Sequence, residues 1–350
     1  MSTLLTIIQP LLSERLNLSH KKFLIQVIQS ILLAWSVNIL KLACEIPGNA
    51  NVWSVIRRLE RFLLIKITGF DKLASVILSA LKYRGPYVLT MDGTSWRLGK
   101  RKYYILAVGI CFDGISLPIC LRYLPGNTSA NFTQEIELME HVVSVLKIEN
   151  IKSLVADREF GNTNFIRWLK MMHINFCIRL KGNFYITGPD RKNSRTLNSV
   201  FQYLKVGQVA VLRRAYLIRK GVMVRIYCKR VRHPNTEDSL LILASPKGFD
   251  CTERLYRLRW SIETAFRGWK TAGFNLEQTH LDGARFENML ALMSIAYAVA
   301  FIDGLVKIES IPIPVVKKNG RKRFSILRYG LTDCIHRFWS NVKFTTIESS

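Results

Sequence analysis

Four residues in the second half of the sequence have the types and spacing of a helix face that could bind phosphate and a metal ion. Tyr256, Arg259, Glu263 and Lys270 follow one another at offsets of three, four and seven residues. In a continuous α-helix these offsets place all four side chains on one face. The alternative is an ordinary exposed face, on which Arg259 and Glu263 form a local ion pair four residues apart.

Two aspartates follow short apolar runs that have the composition of β-strands. Asp92 comes directly after residues 87–91, and Asp157 comes directly after residues 153–156. Either aspartate alone could form a turn or cap a helix. Two aspartates at neighbouring strand ends would repel each other unless a cation lay between them. With Glu263 as a third carboxylate, they would form a set of oxygen ligands of the kind that Mg²⁺ prefers.

The segments around these aspartates predict the element order β-β-β-α-β-α-β. A crossover helix between the third and fourth strands makes the fourth strand parallel to the first. Asp92 and Asp157 should then lie side by side at the carboxyl ends of adjacent strands, where open α/β sheets bind ligands. We therefore predict an α/β fold with a ribonuclease H-like mixed sheet. The runs are 87–91, 103–112, 115–124, 131–146 (helix), 153–156, 162–172 (helix) and 175–180.

Residues 181–250 interrupt this order before the predicted helix at 252–271, which carries Glu263. The interruption contains three further strand-like runs. The segment 178–250 has fifteen Lys or Arg and four Asp or Glu, a net charge of +11. So basic a β-rich insertion is hard to explain as core and is typical of a surface that faces phosphate. Its adjacent Arg213 and Arg214 are candidate DNA contacts.

The flanking segments complete the predicted domain organisation. The N-terminal block is helical by periodicity and carries an arginine-bearing helix, which suits DNA docking as well as plain solvated helix faces. Near the C-terminus, the basic run 317–323 is interpreted as a solvated loop rather than a DNA contact. The predicted domains are an N-terminal helical, DNA-binding domain at 1–82, a catalytic domain at 83–180 and 251–310, the insertion at 181–250 and a C-terminal tail at 311–350.

The overall composition favours a nucleic-acid partner. The 350 residues include 51 Lys or Arg and 25 Asp or Glu, giving a formal net charge of +26, while 49% of the residues are hydrophobic. Such an excess of positive charge favours nucleic acid over a membrane surface or a merely basic composition. The apolar run 290–302 is short for a membrane span and indicates a core helix, so no membrane partner is expected. Seven cysteines without a Cys-x-x-Cys pair indicate reduced thiols in a cytosolic protein.

Three blocks of this sequence resemble the conserved blocks of IS4-type bacterial insertion-sequence transposases. The first is Met-Asp-Gly-Thr around Asp92, and the second is Ala-Asp-Arg-Glu-Phe around Asp157. The third, Tyr256-x2-Arg259-x3-Glu263-x6-Lys270, is the most specific of the three. The resemblance covers about residues 86–305, and the spacings of 65 and 106 residues between the acidic residues leave room for the β-rich insertion known in that family.

The resemblance implies a DDE transposase that works by cut and paste. Asp92, Asp157 and Glu263 would bind two Mg²⁺ ions, for which Mn²⁺ could substitute. Water would cut the DNA at the transposon ends, and the freed 3′-hydroxyl would attack target DNA. Tyr256, Arg259 and Lys270 would hold phosphates near the cut. The expected partners are double-stranded DNA and a second subunit in a synaptic complex. The expected location is the bacterial cytoplasm, at the nucleoid when DNA is bound.

Two other functions are compatible with the same residues. A ribonuclease H-like nuclease would use the same carboxylates without joining strands, but it would not need the Tyr/Arg/Glu/Lys spacing or the basic insertion. An inactive or domesticated transposase would keep its affinity for DNA without catalysis. The presence of all three carboxylates argues against that second alternative.

Overall fold

The computed structural model describes residues 16–65, 74–75, 77–79, 81, 84–188, 193–217, 221–233, 236–271, 273–313 and 324–347. The described residues belong to two compact units. The first unit draws on Met1–Tyr83, Trp96–Arg101 and Phe266–Ser350, and the second on Arg84–Ser95 and Lys102–Ala265. The basic run 317–323 lies outside the described residues, so its interpretation as a solvated loop stays a prediction.

The second unit is built on a mixed sheet in which the described residues form ten strands. The strand order is β3-β2-β1-β4-β5-β10-β9-β8-β6-β7. The central strands are rich in β-branched and aromatic residues, which suit a sheet buried on its faces. This mixed α/β arrangement is compatible with the predicted ribonuclease H-like fold. The strands are β1 (Tyr87–Leu98), β2 (Arg101–Phe112), β3 (Ile115–Tyr123), β4 (Ile151–Ala156), β5 (Phe176–Arg179), β6 (Tyr185–Thr187), β7 (Ser194–Thr196), β8 (Val209–Leu217), β9 (Val222–His233) and β10 (Thr236–Ser245).

The register between β1 and β4 determines where the two aspartates lie. The two strands are parallel, and their last paired residues are Met91 and Ala156. Asp92 is the next residue within β1, and Asp157 directly follows β4, which confirms that the two aspartates lie on neighbouring parallel segments. The expectation that Asp92 ends its strand was wrong, because β1 continues to Leu98. The pairing with β4 ends at Met91, and β2 neighbours β1 on the side opposite β4.

Two helices of the second unit agree with the sequence periodicity. Helix α4 (Phe132–Leu146) begins at a capping box, in which Asn131 and Gln134 each hydrogen-bond to the backbone of the other. Helix α5 (Thr163–Met171) begins at Asn162, whose side chain accepts a hydrogen bond from the Phe165 backbone N–H. A shorter helix, α6 (Leu197–Phe201), lies within the insertion.

The insertion extends the same sheet instead of forming a separate surface module. Strand β10 pairs antiparallel with β5, with Leu243 opposite Arg179 and Ala244 opposite Ile178. Along β9, the side chains of Val224 and Ile226 are fully buried. The expectation that the insertion is hard to explain as core was therefore wrong for its inner face, because alternate residues of its strands point into the protein.

The segment that carries Tyr256 and Glu263 is broken into two helices rather than forming the one continuous helix predicted from periodicity. Helix α7 (Glu253–Arg257) is capped by Thr252, and helix α8 (Trp260–Trp269) follows after a short turn. At the break, the Arg259 N–H bonds to the carbonyl of Tyr256, three residues earlier. An i to i−3 bond closes a narrower turn than the i to i−4 bond of an α-helix, so the helix does not continue through Arg259. The side chains of Tyr256, Arg259, Glu263 and Lys270 therefore do not share one continuous helix face.

Two of the cysteines are paired. Cys177 on β5 and Cys251, just before α7, form a disulfide across 74 residues of sequence, with their Cα atoms 5.4 Å apart. The expectation of reduced thiols was wrong for this pair. The linear spacing contained no sign of it, because the pairing of β10 with β5 brings the two positions together only in the folded sheet.

The first unit is helical. Its core helix α9 covers the apolar run 290–302 and is long and apolar enough to cross a membrane by length and composition. However, 89% of its most apolar stretch is buried inside the protein, as expected for a core helix. The pair α1 and α2, bent by 108° between them, also has the required length and composition. The helices are α1 (Leu18–Ala34), α2 (Ile39–Glu45), α3 (Val52–Phe62), α9 (Gly283–Ser310) and α10 (Ile326–Ile347).

Candidate active site

The side chain of each of the two aspartates is oriented by the backbone N–H of the residue that follows it. Asp92 Oδ1 accepts a hydrogen bond of 2.8 Å from the Gly93 N–H. Asp157 Oδ1 accepts one of 2.7 Å from the Arg158 N–H and caps the 3-10 turn Arg158–Phe160. Asp157 therefore does act as a cap, but this bond occupies one oxygen of each carboxylate and leaves the other oxygen for further contacts.

Two residues from the broken helix segment contact these aspartates, and a third, Glu263, contacts one of those two. The Tyr256 hydroxyl donates a hydrogen bond of 3.1 Å to Asp157 Oδ1. Arg259 Nη1 lies 3.5 Å from Asp92 Oδ2 and 2.5 Å from Glu263 Oε1. The structure thus brings together five of the residues singled out from the sequence, although the helix that was expected to present them is interrupted.

Burial and neighbouring carboxylates change the acidity of this group. The pKa of Asp92 is raised to about 7, chiefly by burial, with the nearby charges of Asp157 and Glu263 adding to the rise. The Gly93 N–H and the Arg259 guanidinium oppose it. Burial, followed by the charge of Asp157, raises the pKa of Tyr256 to about 12, so its hydroxyl stays protonated as a donor at neutral pH. A buried carboxyl beside two others favours the approach of a cation.

The other three residues predicted for the site are not part of this group of five. Lys270 belongs to the first unit, where its Nζ lies 5.2 Å from the centre of the Trp96 ring and 3.5 Å from Glu277 Oε1. Arg213 and Arg214 lie on β8 of the insertion, and both side chains are exposed.

The carboxylate set matches Mg²⁺ in chemistry but is not arranged as a finished metal site. Carboxylate oxygens are the hard ligands that this ion prefers. The pKa of Asp92 is raised chiefly by burial, and the charges of Asp157 and Glu263 add to the rise. In the part of the chain that the structure describes, no three His, Cys, Asp or Glu side chains form a group that could hold a metal ion. Between two of the candidate ligands, Asp92 and Glu263, lies the guanidinium of Arg259.

Tyr104 supports this site and was not found from the sequence. A Cβ added at Gly93 would lie 2.0 Å from the Tyr104 hydroxyl, so this oxygen packs directly against the backbone next to Asp92. The hydroxyl donates a hydrogen bond of 3.1 Å to Glu159 Oε1, two residues after Asp157. Tyr104 therefore connects the backbone next to Asp92 with the turn that follows Asp157. The glycine after Asp92 was the only sequence signal for such a close approach.

A second carboxyl, Glu135, is buried on α4. Asn162 Nδ2 donates a hydrogen bond of 2.7 Å to its Oε2. Burial, reinforced by the charge of Glu159 and opposed by the Asn162 bond, raises the pKa of Glu135 from 4.5 to about 7. The folded protein therefore binds this proton more tightly than the unfolded chain does.

Replacing Glu135 with Gln should raise the free energy of unfolding at pH 8 by roughly 3 kcal/mol. Because the folded-state pKa of this acid is raised from 4.5 to about 7, ionisation destabilises the fold progressively as the pH rises across that window. Urea unfolding of both proteins between pH 5 and pH 8 would measure this. The exposed Glu140 on the same helix provides the control, Glu140→Gln. A difference between wild type and Glu135→Gln that is the same at pH 5 and pH 8 would contradict the assignment.

A basic cavity of about 780 Å³ lies in the second unit. Four cationic side chains line it, from Arg158, Arg179, Lys181 and Arg230. Among the described residues none of the four is ion-paired to a carboxylate, although Arg230 donates to the backbone carbonyls of Leu204 and Gln202. Arg158 follows Asp157, so this concentration of positive charge begins beside the candidate site. The sequence signal for it was only the general basic character of the insertion.

Asp92 and Asp157 lie just beyond the paired residues of two adjacent parallel strands, and Glu263 lies on a helix that follows later in the chain. The chain belongs to the transposase DDE domain family, whose family model matches residues 83–299. It is therefore a transposase-type nuclease, and its substrate is DNA. This match identifies the family and does not distinguish IS4-type transposases from its other members.

No curated protein matches the chain. The crystal structure of endonuclease V from Bacillus subtilis is similar over 56% of this chain and 86% of its own, with 13% sequence identity and a TM-score of 0.26. At that TM-score the similarity carries no weight for the fold or the function.

Proposed function

We propose that this chain is an IS4-type DDE transposase that cuts DNA at transposon ends and joins the freed ends to target DNA by cut and paste. The observation that carries the proposal is the grouping of Asp92, Asp157 and Glu263 with Tyr256 and Arg259 just beyond the paired residues of two parallel strands. All five come from the blocks that resemble this family, although three of them are separated from the aspartates by about a hundred residues or more.

The side chains of the site have distinct proposed roles. Asp92, Asp157 and Glu263 would hold two Mg²⁺ ions, with Mn²⁺ as a substitute; bound ions would activate the attacking oxygen and stabilise the leaving oxygen. Tyr256 stays protonated and directs its hydroxyl at Asp157, so it would orient that carboxylate or donate to a phosphate oxygen. Arg259 can bind a phosphate through two nitrogens. Lys270 is proposed as a further phosphate contact, on its spacing in the sequence alone.

The test of this function is a strand-transfer assay with pre-cleaved transposon ends and a supercoiled target. A cut-and-paste transposase should join the 3′ ends to the target in the presence of Mg²⁺ or Mn²⁺. A nuclease without strand transfer would nick DNA and yield no joined product. A domesticated, inactive protein would bind the ends and do neither, so the assay separates all three functions.

The insertion is proposed to bind DNA phosphates. Its exposed Arg213 and Arg214, and the cations that line the 780 Å³ cavity, support this role. The domain boundaries expected from the sequence, a DNA-docking role for the N-terminal helices, a homodimeric synaptic complex and a cytoplasmic location are part of the same proposal.

Replacing both Arg213 and Arg214 with Ala should weaken DNA binding and reduce the slope of log K against log salt by about two. Each arginine that contacts a phosphate releases a counterion on binding, and the double variant loses both. Fluorescence anisotropy with a labelled duplex at several salt concentrations would measure it. The control is Lys147→Ala with Lys152→Ala, which removes the same charge near the amino end of β4, away from Asp157. An unchanged slope for the arginine variant would remove the insertion from the DNA interface.

A further inference from the structure

The guanidinium of Arg259 occupies the place between two of the three candidate metal ligands. A single nitrogen, Nη1, lies 3.5 Å from Asp92 Oδ2 and 2.5 Å from Glu263 Oε1. We call this pair of contacts the Arg259 bridge. It supplies positive charge to the same two carboxylates that a divalent cation would neutralise, so the guanidinium and a metal ion would compete for them.

The bridge leaves part of Arg259 unsatisfied. The residue is only 8% exposed, and its Nε is buried with no hydrogen-bond partner among the described residues. A buried donor without an acceptor disfavours the conformation that contains it. The Nε–H of Arg259 can therefore donate a further hydrogen bond. Phosphate oxygens suit this donor, because a guanidinium can bind a phosphate through two nitrogens at once.

Glu263 differs from Asp92 in how it is held. Its side chain is 48% exposed, and it is held by its contact with Arg259 in the bridge. Asp92 and Asp157, in contrast, are each oriented by a backbone N–H. Release of Arg259 would therefore free Glu263 to turn toward the aspartates, while the aspartates keep their places.

We propose that the Arg259 bridge keeps the carboxylate site from taking up divalent metal until a DNA phosphate draws the guanidinium away. This inference rests on the proposed function of the same site and adds its regulation. Metal uptake and DNA binding then become coupled, and by thermodynamic linkage each must strengthen the other to the same degree. A protein free of DNA would hold metal weakly and would not cut at random.

The test is Mn²⁺ binding to the full-length protein without DNA, followed by the electron paramagnetic resonance signal of the free ion. Arg259→Gln removes the bridge and should tighten Mn²⁺ binding by about tenfold, within the range usual for coupled sites. This is the opposite of what loss of a simple support residue would do. Adding a short transposon-end duplex should tighten Mn²⁺ binding to the wild type and change the affinity of Arg259→Gln much less.

Two further variants separate the bridge from a general change in charge and from a failure to fold. Arg257→Gln removes the same charge from an exposed neighbour that pairs with Glu253, and it should alter Mn²⁺ affinity less than about twofold, as expected for a screened surface charge. Arg259→Met also removes the charge but keeps a long unbranched side chain, so it should tighten binding as well, and it serves if the glutamine variant does not fold. Affinity equal to or weaker than wild type in both Arg259 variants overturns the bridge. Absence of Mn²⁺ binding in every protein overturns the proposed metal chemistry as well.

Discussion

Replacing Asp157 with Asn should lower the rate of metal-dependent cleavage at transposon ends by about 10³-fold or more. Under the proposed function Asp157 would help to hold the metal, so its loss would remove several kcal/mol of transition-state stabilisation, and each ~1.36 kcal/mol corresponds to a factor of ten. Asparagine keeps the oxygen that accepts from the Arg158 N–H and the Tyr256 hydroxyl, so the local structure should survive while the charge is lost. Single-turnover cleavage of a labelled end duplex gives the rate.

Asp250→Asn is the matched control for this variant. Asp250 is in the same unit, its side chain is 84% exposed, and its ion pair with Arg225 lies at the surface. The control should cleave DNA at the wild-type rate, and both variants should bind the end duplex as tightly as the wild type when metal is absent. A cleavage rate for Asp157→Asn within about tenfold of wild type would exclude Asp157 from the catalytic set.

Replacing Gly330 with Ala should destabilise the first unit by about 3 kcal/mol, at the upper end of overpacking effects. Helices α9 and α10 pack here with backbone against backbone. A Cβ on Gly330 would lie 1.8 Å from the Ala300 carbonyl oxygen and 2.4 Å from the Gly304 N–H nitrogen. Since backbone atoms cannot move aside as side chains do, the two helices would have to separate. Without that clash, alanine in place of a helical glycine would stabilise by about 1 kcal/mol.

Gly268→Ala provides the comparison for this prediction. Gly268 also lies within a helix, α8, but its added Cβ would meet only the side-chain carbons of Leu327 and Tyr297, each at 3.3 Å. Urea unfolding should therefore show a clearly smaller change in midpoint for Gly268→Ala than for Gly330→Ala, whose midpoint should fall. Equal midpoints for the two variants would show that α9 and α10 do not pack at this distance.

The sequence was sufficient for the features that depend on local pattern. Alternating and apolar runs predicted the strand and helix order, and the crossover rule placed Asp92 and Asp157 on adjacent parallel strands, as the Met91 and Ala156 register confirms. The spacing of Tyr256, Arg259 and Glu263 identified side chains that do converge. Their spacing was informative even though the continuous helix used to interpret it was wrong.

The remaining features depend on tertiary contacts that no local pattern records. The break before α8 arises from i to i−3 bonds at Arg259, and periodicity cannot distinguish a tightened turn from a continuous helix. Tyr104 and Glu159 are 55 residues apart, and Cys177 and Cys251 are 74 residues apart, so only the assembled sheet brings each pair together. The burial of Glu135 depends in the same way on what packs over α4.

The continuous sheet sets the distance between the candidate active site, beside the end of β4, and strand β8, which carries Arg213 and Arg214. Backbone ladders connect β4, which ends beside Asp157, to β8 through β5, β10 and β9. Four inter-strand steps of about 4.8 Å amount to roughly 19 Å. Duplex DNA advances about 3.4 Å per base pair, so this span corresponds to about half a helical turn. If the protein binds phosphates along β8 while it cuts beside β4, the strand spacing would set the distance along the DNA between the bound phosphates and the cleaved bond at about half a helical turn.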